Sequence, residues 1–203
     1  MQSIVLASNN KHKIKEFQEI LTDVKILSLE DIGFKEEIEE NGTSFEENSK
    51  IKAQAIYKYL KNNHKEMKVI ADDSGLCCKA LDNAPGIYSA RYAGDHNDQN
   101  NRDKLRKDLQ GKEKDAFFVC CITLMNNEKD YKQFIGTTEG RIIEEEKGKK
   151  DFGYDCIFYS KDLEAFIDIG INILESTEIN ELRCGILDIL VKLSVFNLDN
   201  ISI

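Results

Sequence analysis

Lys68-Val69-Ile70-Ala71-Asp72-Asp73-Ser74-Gly75 sets a short apolar run directly against two adjacent carboxylates, a hydroxyl and a glycine. The apolar part predicts a buried strand over 68–71, and the abrupt change of character predicts its end at Asp72. Strand ends are where α/β proteins gather their chemistry. Two carboxylates in such a place need partners, because an uncompensated buried charge is costly and shifts its own ionisation.

Working outward, Ser3-Ile4-Val5-Leu6-Ala7 predicts another short buried strand, Ser8-Asn9-Asn10 a turn, and Lys11 to Leu21 a helix with Ile14, Phe17 and Leu21 on one face. Ser44-Phe45-Glu46-Glu47 has the form of a capping box, and Ile51, Ala55, Ile56 and Tyr59 follow at helical spacing. Lys52 lies one position off that stripe. After a loop with the only proline, Pro85, a polar helix carrying Leu105 and Leu109 leads to a strand over 116–125 and a turn over 126–130. Tyr131 to Thr138 and Arg141 to Glu145 read as antiparallel partners. Leu187, Leu190, Val191 and Leu193 form an apolar stripe suited to a terminal helix.

The 203 residues carry 28 Lys and Arg against 37 Asp and Glu, a formal net charge of −9 without a basic block, which argues against broad nucleic-acid binding. The longest apolar runs fall far short of the roughly 20 residues that span a bilayer, so no membrane partner is predicted. An apolar strand follows Met1 without a basic leader, and six cysteines lack zinc or redox spacing, which together predict a reducing cytoplasm. The cysteines read as small core hydrophobes.

Four segments could carry chemistry. Ser8-Asn9-Asn10-Lys11-His12-Lys13 places a hydroxyl, amides and ammonium groups at a helix start, a setting that suits phosphate. Alone, such a segment is more often an Asn-rich N-cap turn with solvated lysines than a binding site. Glu39 and Glu40 ahead of the capped helix, with Asp72 and Asp73, offer oxygen ligands from separate segments, as Mg²⁺ prefers. The acidic loop by itself is as well explained by solvation. Phe152-Gly153-Tyr154-Asp155 could stack a flat base or simply fill the core. In Ala84-Pro85-Gly86-Ile87-Tyr88-Ser89-Ala90-Arg91-Tyr92, Arg91 could meet phosphate or stack on a ring.

Together these segments, in this order and spacing, resemble the inosine triphosphate pyrophosphatase family, which hydrolyses non-standard purine nucleoside triphosphates such as ITP, dITP and XTP to the monophosphate and pyrophosphate. The resemblance implies that Ser8, Asn10, Lys11, Lys13 and Lys52 hold phosphates, that Glu40, Asp72 and Asp73 hold Mg²⁺, and that Asp73 is the general base. It implies that Ser74, Arg91, Phe152, Gly153, Tyr154 and Asp155 contact the nucleotide, and that the protein is a cytoplasmic homodimer. Cys156 stands where the family usually has proline.

Residues 1 to about 166 carry the resemblance. The lysine and the Ser-His-Arg triplet that read the purine base in the family have no match in 167–203, where Glu181-Leu182-Arg183 is the nearest counterpart. Arg183 is the candidate replacement. A pocket discriminates strongly only when the wrong substrate leaves its buried polar groups unpaired, so base selectivity should weaken while phosphate chemistry persists. The expectation is an α/β fold, an elongated mixed sheet flanked by helices, in two lobes with a nucleotide cleft between them. Residues 1–203 form a single inosine triphosphatase-like domain with a divergent end. The alternative is a nucleotide-binding protein of the same fold with weak or lost catalysis and lost base selectivity.

Overall fold

The short apolar run Ile4-Val5-Leu6 is buried in β1 (Gln2–Leu6), as a strand covered on both faces must be. In the computed structural model, which describes residues 2–147, 153–161 and 165–166, β1 pairs in parallel with β2 (Val24–Leu27) on one side and β3 (Lys68–Cys78) on the other. Helix α1 (Lys11–Ile20) makes the first crossover and buries Phe17, with Leu21 just past its end. The short helix α2 (Leu29–Ile32) is closed by a reciprocal capping box between Ser28 and Asp31 and by Gly33 at φ 79°. Helix α3 (Phe45–Asn62) completes the second crossover.

Helix α4 (Asp98–Asp108) and strands β4 (Asp115–Met125), β5 (Tyr131–Ile142), β6 (Phe158–Ser160) and β7 (Ala165–Phe166) follow. The seven strands form one mixed sheet in the order β2-β1-β3-β4-β5-β6-β7, flanked by helices in an α/β fold. The described residues divide into two compact units. One comprises residues up to Asp73 with Cys121–Ile135, and the other Ser74–Cys120 with the described residues from Gly136 on. The core of the first gathers Val5, Ile32, Phe34, Ile56, Leu60 and Val69. That of the second gathers Leu76, Leu105, Leu109, Ile142, Ile157 and Phe158.

Two expected boundaries move. Strand β3 does not stop at Asp72 but runs on through Asp72-Asp73-Ser74-Gly75 to Cys78. Its parallel pairing with β1 ends at Ile70, whose carbonyl accepts from Ala7 N–H, but β4 on its other side keeps the backbone in the ladder. Tyr131 to Ile142 is one strand rather than two, because Gly140 does not break it. Gly140 opposes Ser160 in β6, and a Cβ there would run into the Phe158 ring and the Tyr159 carbonyl.

Cys77, Cys78, Cys120, Cys121 and Cys156 are buried free thiols. Burial pushes Cys77 up to about 11 and Cys78 and Cys121 up to about 12, so they behave as the small hydrophobes their setting suggests. Cys184 and the predicted terminal helix lie outside the described residues. No helix among the described residues is long and apolar enough to cross a membrane.

Gly140→Ala is expected to lower stability by about 1–3 kcal/mol through overpacking, read as a fall in the urea midpoint with an unchanged slope.

Candidate active site

The turn after β1 is built by its own side chains. Ser8 Oγ accepts from Asn10 N–H at 3.1 Å, and Asn10 Oδ1 accepts from Lys13 N–H at 3.4 Å while its carbonyl takes Ile14 N–H at 3.0 Å. Asn10 thus starts α1 and sets Lys13 in its first turn, from which the ammonium pairs with Asp72. Lys11 is exposed.

Helix α3 is capped by Ser44, whose hydroxyl accepts from Glu47 N–H at 3.2 Å. The predicted box does not close on Ser44. Glu47 accepts instead from the N–H and hydroxyl of Thr43, at 2.7 and 2.9 Å, because a flexible carboxylate gains two donors there. The inward face also differs from the expected stripe, and runs through Asn48, Ser49, Ala53, Ile56 and Leu60. That rotation puts Lys52 on the inward edge, with its side chain only 12% exposed. Its ammonium lies 3.0 Å from both Glu40 Oε2 and Asp73 Oδ1.

Asn48 and Ser49, which periodicity alone passes over, support this cluster. Asn48 accepts from Gly42 N–H at 2.9 Å and donates to Asp73 Oδ2 at 3.4 Å. Gly42 must lack a side chain, since a Cβ would stand 2.7 Å from Asn48 Oδ1. Ser49 Oγ lies 3.0 Å from the Ala71 carbonyl and 2.8 Å from Thr123 Oγ1, and Gln133 donates to Thr123 at 3.0 Å. The available signal was two polar residues at positions where the helix faces its core.

In the second unit, Ser74 follows Asp73 in β3, and Arg91 stacks 5.2 Å over the Tyr88 ring. Gly153, at φ 46°, donates to Asp98 Oδ2 at 3.0 Å and accepts from Arg102 Nη1 at 2.7 Å. Tyr154 is 4% exposed and its hydroxyl donates to the Ser89 carbonyl at 2.9 Å, so its ring fills the core. Asp155 opens a 3-10 turn over Asp155–Ile157. Phe152 and Arg183 lie outside the described residues.

Residues 4–169 match the model of the Ham1 family. The chain belongs to the Ham1 family. This bears out the resemblance read from the four motif segments. The Ham1 chain is 41% identical over 162 residues to the dITP/XTP pyrophosphatase of Campylobacter jejuni, covering 78% of this chain and 80% of that one. It is 45% identical over 166 residues to the dITP/XTP pyrophosphatase of Clostridium perfringens, covering 78% and 81%. The solved Ham1 protein of Staphylococcus aureus superposes with a TM-score of 0.78 at 36% identity, covering 97% of this chain and all of that one.

The two aspartates of this Ham1 protein are buried, Asp72 at 4% and Asp73 at 8% exposure. Burial pushes Asp73 up to about 6; Lys52 opposes the rise, and the charges of Glu40 and Asp72 add to it. Among the described residues no group of three or more His, Cys, Asp and Glu is already disposed around a metal position. The donor set nevertheless fits a hard divalent cation such as Mg²⁺: all the donors are carboxylate oxygens, and the Lys52 ammonium between Glu40 and Asp73 stands in as a cation.

Asp73 ionises at a higher pH folded than unfolded, so the stability cost of its burial is absent below about pH 4, grows between pH 4 and 6, and is complete above about pH 6. Asp73→Asn is therefore expected to stabilise the chelator-treated protein by about 1–3 kcal/mol at pH 8, the gain fading toward pH 4, in urea titrations.

Proposed function

We propose that this chain hydrolyses non-standard purine nucleoside triphosphates, of the dITP and XTP class for which its relatives are named, to the monophosphate and pyrophosphate. The observation that carries the reading is the pairing of Lys13 and Lys52 with Asp72, Asp73 and Glu40 in a chain of this family. It joins phosphate-binding cations to metal-binding carboxylates in one cluster.

Ser8, Asn10, Lys11, Lys13 and Lys52 hold the triphosphate, with the start of α1 adding the positive end of its dipole. Glu40, Asp72 and Asp73 would hold Mg²⁺, which when bound neutralises charge on the phosphates. Asp73 takes a proton from the attacking water, a task helped by burial that keeps this carboxylate more basic than usual. The water oxygen bonds to the α-phosphorus, the bond from α-phosphorus to the bridging oxygen breaks, and the electron pair leaves with pyrophosphate. Lys13 and Lys52 compensate the charge that develops on that leaving group. Asn48 keeps Asp73 oriented.

Ser74, Arg91, Gly153, Tyr154 and Asp155 are in this reading the candidate nucleoside contacts, as the resemblance implies, Tyr154 acting from the core; Phe152 and Arg183, proposed with them, lie outside the described residues. A reducing cytoplasm belongs to this reading, in keeping with the free buried thiols, and so does a homodimer, which the resemblance implies.

With Mg²⁺, pyrophosphate release from dITP, XTP and ITP is expected to exceed release from ATP and GTP, and Asp73→Asn is expected to lower it at least about a hundredfold. Full turnover by that variant would remove the assigned base. Nucleotide binding without pyrophosphate release would favour a non-catalytic binder.

A further inference from the structure

We infer that Lys13 and Lys52 are internal counter-ions whose exchange of partners couples metal binding to triphosphate binding. The inference rests on the reading of this cluster as a metal and triphosphate site. Both ammonium groups are engaged, Lys13 by Asp72 and Lys52 by Glu40 and Asp73 at 3.0 Å each. Two positive charges thus face three negative ones in a largely buried setting.

A divalent cation arriving alone must approach carboxylates already held by ammonium groups. A triphosphate arriving alone meets ammonium groups neutralised by carboxylates, and the third carboxylate repels it. When both arrive, the two charges of the metal replace the two ammonium charges at the carboxylates, and Lys13 and Lys52 turn to the phosphates. Local charge at the carboxylates is conserved, so each ligand removes the obstacle to the other. Such coupling is reciprocal and typically falls between about 5- and 150-fold in affinity.

Calorimetry separates the pieces, with Mg²⁺ alone as one probe and inorganic tripolyphosphate in excess chelator as the other. Lys52→Met is expected to tighten binding of Mg²⁺ alone about tenfold. Glu40→Gln is expected to tighten metal-free tripolyphosphate binding about tenfold, and the gain should vanish in the Lys52→Met background because Lys52 carries it. A Glu40→Gln gain that persists in that background is general charge relief and overturns the inference, as does unchanged or weaker Mg²⁺ binding by Lys52→Met. Should Lys52→Met fail to fold, Lys13→Met and Asp72→Asn give the same cycle on the other pair. If the natural chain binds tripolyphosphate neither with Mg²⁺ nor without it, the phosphate-site reading fails as well. If it binds both ligands but the cycle shows no coupling, only the inference fails.

Discussion

The cost of holding ionised carboxylates inside the sheet governs the first unit. Asp72 and Asp73 sit within β3, nearly shielded from water, and burial of an unpaired carboxylate there would be prohibitive. Each is answered from a different helix: Lys13 on α1 reaches Asp72, and Lys52 on α3 reaches Asp73. The pairs themselves need not add net stability, since desolvation consumes much of the Coulomb attraction. Their effect is to tie each of the two helices to the same stretch of β3. The raised pKa of Asp73 is the residual of this arrangement, an incompletely compensated carboxylate kept where it can accept a proton.

The second unit solves a different problem, that of fixing a loop without regular structure. Gly153 has both backbone polar groups taken by α4, its N–H by Asp98 and its carbonyl by Arg102. Arg102 is itself nearly buried and spends its remaining donors on Glu146 and Gln99. Ser89 does similar service, receiving Leu76 N–H from β3 while its carbonyl receives the Tyr154 hydroxyl. A loop held by charged and amide groups at this density keeps its shape without a strand partner.

Much of this was legible before any coordinates. Apolar runs marked β1 and β4, helical spacing marked α1 and α4, and the motif segments marked the acidic cluster with its two lysines. What escaped notice did so for physical reasons. The polarity of Asp72-Asp73 reads as a strand end only if the carboxylates lack partners, and those partners come from residues far away in the chain. Gly140 reads as a break only until an aromatic ring needs its missing side chain. The inward face of α3 departs from its apolar stripe because Asn48 and Ser49 face the core as hydrogen-bonding groups, which a count of apolar residues does not register.

Gln18 on α1 makes a small arrangement with a wider effect. Its side-chain amide donates to the Val24 carbonyl and accepts from Ile26 N–H, both at 3.1 Å, along β2, the outermost strand at that end of the sheet among the described residues. Those are two of the groups that an incoming strand would claim, and the amide answers them as a peptide unit of such a strand would; Val24 N–H is already given to the Leu21 carbonyl. Open strand edges are where sheets recruit foreign chains and begin to aggregate. A single glutamine thus blunts this rim against a further strand, working beside the exposed Lys25 that the same edge strand carries.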